Sequence, residues 1–441
     1  MIVPGEFRKL LAGRTTREIL ANFSWVAVDK LVRLAAGLVV GVWVARYLGP
    51  SQFGELNYLL TLVSLFATFA SLGMDSIVVR ELSRAGADAA EILGTAFTLR
   101  LGGAMFGMSL GLISYLLIGE SRGSSATPIF LVFSLSLLFA CFDVIDFWFQ
   151  SRLQMRYAVI GRNFGFLAGL AGRIAAILGG LSLFWFGAIY TAEIALSACG
   201  MFLVYGLSGE RILRWKFSVR RCVALMVQLR YLFLAALLLT VQARIDQIML
   251  VSLLGTKQLG LYASALRLIE FLVFLPMMIQ TVLVPVMSAE KFIEPRRHDE
   301  ALLNLYRFMV LIFLPVGAVL IFFPSQLMDI LYGQKYEGAA PLLALMSVRL
   351  LLAHFGIAKS LFFLRENAFG ISLTGALLGC AINIGLNLAM IPIWGASGAV
   401  LASVISFFVT IFLADLLFTT TRRNFYLMVR ALVTPWRFRA M

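Results

Sequence analysis

The chain has 441 residues, of which 61% are apolar and only 14% charged, against about 25% charged in an ordinary soluble domain. That balance excludes a soluble globular enzyme, a disordered chain and a disulfide-built secreted scaffold. Net charge is +14, which in a soluble protein points to nucleic acid. Here the basic residues fall mostly between apolar runs, the pattern of membrane topology, and no nucleic-acid partner is expected.

Apolar runs near 20 residues recur from end to end, each long enough to cross a hydrocarbon core about 30 Å thick. In chain order they predict spans at 19–46, 57–79, 93–118, 128–149, 158–180, 185–207, 224–253, 263–289, 302–324, 341–364, 370–392 and 398–418. A tail, 1–18, carries Arg8, Lys9, Arg14 and Arg17. The run after it is too long for a signal-peptide core and has no small-residue cleavage site, so it reads as a retained first span. No loop is longer than about 20 residues, so no extramembrane catalytic domain is expected. Cys141, Cys199, Cys222 and Cys380 lie in or at the edge of apolar runs with no CxxC pair. They read as small core residues rather than disulfides or metal ligands. The fold class expected is an all-α polytopic membrane protein of about twelve transmembrane helices.

Loop charge sets the orientation. The tail 1–18, the loops 80–92, 150–157, 208–223, 290–301 and 365–369, and the tail 419–441 together hold 22 Lys and Arg. The opposite set holds Arg122, Lys257 and Lys335. Basic loops stay cytoplasmic, so both termini are expected inside. The tail after Thr421 alternates basic residues with Phe425, Leu427, Met428, Val429 and Leu432. It reads either as a segment lying on anionic lipid or as a solvated tail.

Two turns repeat. Leu48-Gly49-Pro50-Ser51-Gln52-Phe53-Gly54 and Leu254-Gly255-Thr256-Lys257-Gln258-Leu259-Gly260 share the pattern L-G-x-x-Q-apolar-G, 206 residues apart. Phe186-Gly187-Ala188 and Trp394-Gly395-Ala396 give a second echo at 208 residues. The chain is therefore expected to hold two parallel six-helix halves, 19–207 and 224–418, joined by a basic linker at 208–223 and placed around a central cavity. Two halves with a substrate between them is a transporter arrangement.

Charges inside the spans point to the substrate. Lys30, Arg33, Arg100, Arg173, Arg244, Arg267, Arg349 and Lys359 accompany Asp29, Asp75, Asp143, Asp146, Glu193, Asp246, Glu270 and Asp415. Each costs roughly 2.5–3.5 kcal/mol at mid-bilayer, so they pair or line water. Asp29 and Arg33 are four apart, and Arg267 and Glu270 three apart, so each couple shares a helix face. Arg244 and Asp246 point in different directions and need partners elsewhere. Asp143 and Asp146 share a face without a base on their own span. They either pair with Arg100 and neighbouring bases or bind a proton or cation, with Asp75, Glu193 and Asp246 behind them as coupling candidates. If Arg33, Arg244, Arg267 and Arg349, with Lys30 and Arg173, converge, they form a chamber suited to phosphate, since guanidinium offers a planar fork of donors.

Enzyme motifs fail. Gly119-Glu120-Ser121-Arg122-Gly123 matches G-x-S-x-G but lies in a short loop, and His298 and His354 cannot complete a triad. There is no P-loop pattern, and no histidine–cysteine cluster for a metal. No cofactor is expected. The spacing Gly161/Gly165/Gly169 reads as close helix packing.

Five motifs in order resemble one family. They are Arg46-Tyr47-Leu48-Gly49-Pro50-x-x-Phe53-Gly54; Gly73 through Arg80-Glu81-Leu82; and Asp246-x-x-Met249-Leu250 leading to Gly260-x-Tyr262-x-x-Ala265-x-Arg267. Leu331-Tyr332-Gly333-x-Lys335-Tyr336 follows, then Asn383-x-x-x-Asn387 with Ile391-Pro392-x-Trp394-Gly395-Ala396-x-Gly398-Ala399. They resemble the Wzx-type polysaccharide flippases of the multidrug/oligosaccharidyl-lipid/polysaccharide (MOP) exporter superfamily. The resemblance implies a flippase in a bacterial or archaeal cytoplasmic membrane. Its substrate would be an oligosaccharide repeat unit on undecaprenyl pyrophosphate, moved to the outer leaflet by alternating access without ATP. It implies family-motif or gating roles for Arg46, Gly49, Gly54, Arg80, Gly260, Asn383 and Asn387. Membrane lipids, a polysaccharide polymerase and glycosyltransferases of the same pathway are the partners it suggests. The rivals are a lipid II-type flippase, a drug/cation antiporter of the same superfamily, and a membrane-embedded glycosyltransferase or polymerase.

Overall fold

The computed structural model describes residues 14–84, 86, 88–119, 127–287, 294–366 and 369–438. Arg8, Lys9, Arg122 and the core of the G-x-S-x-G match lie outside the described residues, as does most of the tail 1–18. Every long element is a helix. Along the first half run α1 (Arg14–Ser71), α2 (Asp75–Leu82), α3 (Ala89–Gly119) and α4 (Thr127–Phe139). A 3₁₀ turn, Ala140–Asp143, leads to α5 (Val144–Ser151), α6 (Met155–Leu178) and α7 (Leu183–Leu207). The second half has α8 (Val219–Leu254), α9 (Thr256–Met287), α10 (Pro295–Phe322) and α11 (Pro324–Tyr332). It closes with α12 (Ala340–Glu366), α13 (Phe369–Ile411) and α14 (Thr419–Val433).

Nine helices of the described residues are long and apolar enough to cross a membrane. Two of them are double. α1 breaks at Gly49 (φ 71°) and α13 at Gly395 (φ 61°), a left-handed backbone that glycine adopts without steric cost. Each break is flanked by a proline, Pro50 or Pro392. Helix α6 is the further span: it has 24 residues but carries Arg156, Arg162 and Arg173, so its hydropathy is low. Resolved this way, the helices match the twelve spans read from the sequence.

The chain forms two compact units. Of the described residues, one comprises 14–48 with 55–240, and the other 49–54 with 241–438. The first is centred on Met74, Ile77, Leu93, Val144, Phe149 and Leu229. Its α6 and α7 lie face to face because of small residues. A methyl group at Gly165 would meet the backbone of Glu193, and one at Gly200 the carbonyl of Gly161, so the glycine spacing is close helix packing, as expected. The second unit is centred on Tyr306, Met309, Phe355, Phe362, Phe412 and Met428. Large apolar side chains such as Phe164, Leu167, Leu178 and Phe322 stay exposed, the surface a bilayer covers. All four cysteines are free; Cys141 and Cys380 are buried, whereas Cys199 is exposed rather than in the core.

The two repeated turns are alike in three dimensions. Gly49 and Gly255 both have positive φ, 71° and 86°. The motifs also pack on each other reciprocally within the second unit. A methyl at Gly54 would strike the carbonyl oxygen of Thr256, and one at Gly260 the carbonyl oxygen of Pro50. Each contact is the other shifted by 206 residues. The second echo is not equivalent. Gly395 sits at a helix break, but Gly187 lies inside α7 against Phe133. The turn entering α7 uses Gly180 (φ 66°) instead.

The basic tail is a helix rather than a loose segment. Asn424 on α14 accepts from Tyr306 Oη (2.8 Å) and donates to Asp415 (2.7 Å), and Thr434 accepts from Arg307 (2.9 Å). Met428 and Ala431 are buried beneath it, while Arg422, Tyr426 and Arg430 are exposed.

Candidate functional site

The charged residues within the spans are arranged as discrete pairs. In the first unit Arg33 donates to both oxygens of Asp29 (3.0 and 2.9 Å), one helical turn earlier, and to Asn163 Oδ1 on α6 (2.8 Å). Its guanidinium lies 4.7 Å from the ring centre of Phe166, a cation–π contact. Lys30, beside Asp29 in sequence, is exposed. Arg173 on α6 pairs with Glu193 on α7, across the close approach that the glycines allow.

A second network in this unit lies where α3, α2, α5 and α6 meet. Arg100 on α3 is buried. It donates to the carbonyl of Ala140 (3.2 Å) and stands 3.6 Å from Asp143 and 4.0 Å from Asp75. Both of those carboxylates stay more than half exposed. Asp146 turns away to Arg162 (2.9 Å) and Gln150 (3.0 Å). The two aspartates of the fourth span therefore take different partners. The 3₁₀ turn Ala140–Asp143 rotates Asp143 toward Arg100, and Arg162 takes Asp146. Arg162 is the partner that spacing alone did not single out, because it lies on the next span, 16 residues on. Three carboxylates face two guanidiniums here, an excess of one negative charge. Arg80 donates to Gln228 (3.1 Å), and Arg46 is exposed.

In the second unit Asp246 is fully buried and highly satisfied. It accepts from Tyr262 Oη, from Ser403 Oγ (2.9 Å) and from the backbone N–H of Gln247 (2.7 Å). Arg349 lies 3.7 Å away, donates to Tyr262 Oη (3.3 Å), and sits 5.1 Å from the Phe407 ring centre. Asn387 donates to Asn383 one turn earlier on the same helix, and Asn383 donates to Ser406 Oγ (3.1 Å) across the Gly395 break. Deeper still, Lys359 holds Asp415 at 2.6 Å and the carbonyl of Ile411 at 2.7 Å. His354 contacts the Leu350 carbonyl through Nδ1 (2.8 Å).

Arg244 and Glu270 overturn a spacing argument. Glu270 does not pair with Arg267 on its own helix. It pairs with Arg244 of α8 at 3.1 Å, while the Arg267 guanidinium lies 5.7 Å from the ring centre of Phe53. The rotations of α8 and α9 decide this, and a single-helix reading cannot see them. Asp29–Arg33 is the pair that helical spacing identified and the structure contains. Among the described residues, no group of three or more His, Cys, Asp or Glu could hold a metal ion.

The chain compares as follows with known proteins. No curated protein matches it in sequence. Solved structures match in fold at low identity. A structure of "Lipid II flippase MurJ, inward closed conformation" gives a TM-score of 0.69 at 14% identity, covering 93% of this chain and 91% of that one. An inward-facing multidrug resistance MATE family transporter of the MOP superfamily gives 0.67 at 16%, covering 93% and 99%. A crystal structure of MATE in the bent conformation gives 0.64 at 16%, covering 96% and 98%. These likenesses identify the fold as that of polytopic MOP transporters. The family model described as "Polysaccharide biosynthesis protein" matches residues 43–341. With more than half of its length matched, this multi-pass membrane protein belongs to that polysaccharide biosynthesis family.

Proposed function

We propose that the protein is a flippase that carries an oligosaccharide repeat unit, linked to undecaprenyl pyrophosphate, from the cytoplasmic to the outer leaflet of the cytoplasmic membrane. Both termini are cytoplasmic in this reading. The two six-helix halves alternate access to a central cavity, and the cargo leaves for surface polysaccharide assembly by a polymerase. The observation that carries the reading is the set of arginines seated within apolar helices: Arg33, Arg173 and Arg244 are each held by a carboxylate and remain partly exposed. Guanidinium groups so placed suit a pyrophosphate. A cationic drug would be served by the opposite sign. The surplus carboxylate around Arg100 supports Asp75 and Asp143 as the place where a coupling proton or cation is taken up.

The test is transport in proteoliposomes of a lipid-linked oligosaccharide, read by its accessibility to an external lectin. Arg33→Ala, Arg173→Ala and Arg244→Ala abolish transfer at normal protein levels, and Arg→Lys restores it only partly, because the fork is lost. Full transfer in all three alanine variants refutes the reading. Reporter fusions after Arg221 and after Lys335 fall on opposite sides of the membrane; finding both on one side refutes the orientation.

A further inference from the structure

The ion pairs of the second unit differ in how firmly the carboxylate is held. Asp415 has Lys359 and Asn424, and the pair is sealed, with side chains 5% and 1% exposed. Asp246 has Tyr262, Ser403 and a backbone N–H besides Arg349, at 0% exposure. Glu270 is different. Its carboxylate meets the Arg244 guanidinium with no second donor of that kind, and the two side chains are 50% and 32% exposed.

A half-open ion pair within a span is costly against hydrocarbon, where a single charged side chain costs roughly 2.5–3.5 kcal/mol. Its exposed side is best placed against water. A carboxylate and a phosphate oxygen pair present the same two acceptors to a guanidinium fork. Whatever phosphate arrives at Arg244 must therefore compete with Glu270.

We propose that Glu270 is a tethered competitor anion. It occupies Arg244 between substrates, is displaced by an incoming phosphate-bearing lipid, and reclaims the arginine to expel that lipid. The proposal rests on the reading that Arg244 contacts the pyrophosphate. Its physical basis is that a ligand fixed to the same unit competes at a high effective concentration. Release is thereby built into the binding site, since a transporter must bind its cargo weakly enough to let go. Arg267, one turn before Glu270 on α9, and Arg349, which lies within electrostatic range of Glu270, are the other charges near this carboxylate.

The experiment measures binding and dissociation of farnesyl pyrophosphate on the purified full chain in lipid nanodiscs. Glu270→Gln binds the probe about two- to fivefold tighter, the factor of an exposed ion pair, and releases it correspondingly more slowly. Glu270→Asp, which keeps the charge on a shorter stem, gives an intermediate shift and carries the test if the glutamine variant does not fold. In an Arg244→Gln background, Glu270→Gln has no effect. Unchanged or weaker binding in both Glu270 variants, with Arg244→Gln losing affinity, overturns the competitor role alone. Parent-like binding in Arg244→Gln overturns the pyrophosphate contact at this arginine, and the competitor role with it.

Discussion

Lys359–Asp415 and Arg244–Glu270 are the same chemistry in two settings. One carboxylate is enclosed by a lysine, an asparagine on α14 and the core around Phe355 and Phe412. The other is half exposed and has one partner. The enclosed pair must remain intact for the unit to stay folded, because either charge left alone in the interior is costly. The open pair is the one proposed to exchange its partner. Enclosure, rather than the presence of opposite charges, distinguishes the two.

The largest expected effect tests the enclosed side. Lys359→Met leaves Asp415 without its counter-charge and lowers stability by about 3–5 kcal/mol. Thermal melting followed by size-exclusion chromatography should show little folded protein. The double variant Lys359→Met/Asp415→Leu should recover most of it, and a failure to recover would break the comparison. A smaller loss is expected for Asp146→Asn, where Arg162 loses its partner but Gln150 still has one. About 1 kcal/mol is the scale of a partly exposed pair, against near-zero for Asp143→Asn, which leaves Arg100 with Asp75 and the Ala140 carbonyl. Equal losses in the two aspartate variants would remove the distinction drawn between them. The smallest effect belongs to Glu270→Gln, whose melting temperature should match the parent's to within the equivalent of about 0.5 kcal/mol. A large drop there would make Glu270 a structural residue.

What the sequence made legible followed from periodicity. The spans come from run length, the twelve-helix reading from their number, and Asp29–Arg33 from one helical turn. The turn at Gly49 and its counterpart at Gly255 were readable because five of seven positions match in pattern. The echo at Gly187 and Gly395 was not a true equivalence, because a glycine between apolar neighbours recurs by chance and carries too little pattern. Partner choice between helices was out of reach. Glu270 chooses Arg244 over Arg267, and Asp146 chooses Arg162 over Arg100, through helix rotations that depend on all the neighbours at once. Nor does hydropathy reveal that α14 is pinned by Asn424 and Thr434, since polar residues in a basic tail carry no periodic signal of their own.

The reciprocal contact of Gly54 and Gly260 constrains how the two motifs can change. Each glycine abuts a carbonyl oxygen of the opposing turn, not a side chain. A bulkier residue in one copy therefore cannot be accommodated by a smaller residue in the other, since no side chain is there to trim. Side chains elsewhere in the two motifs can change more freely, yet at this contact both copies are held to glycine. A contact of bare backbone fixes the spacing of the two turns within this unit without any side chain to adjust it.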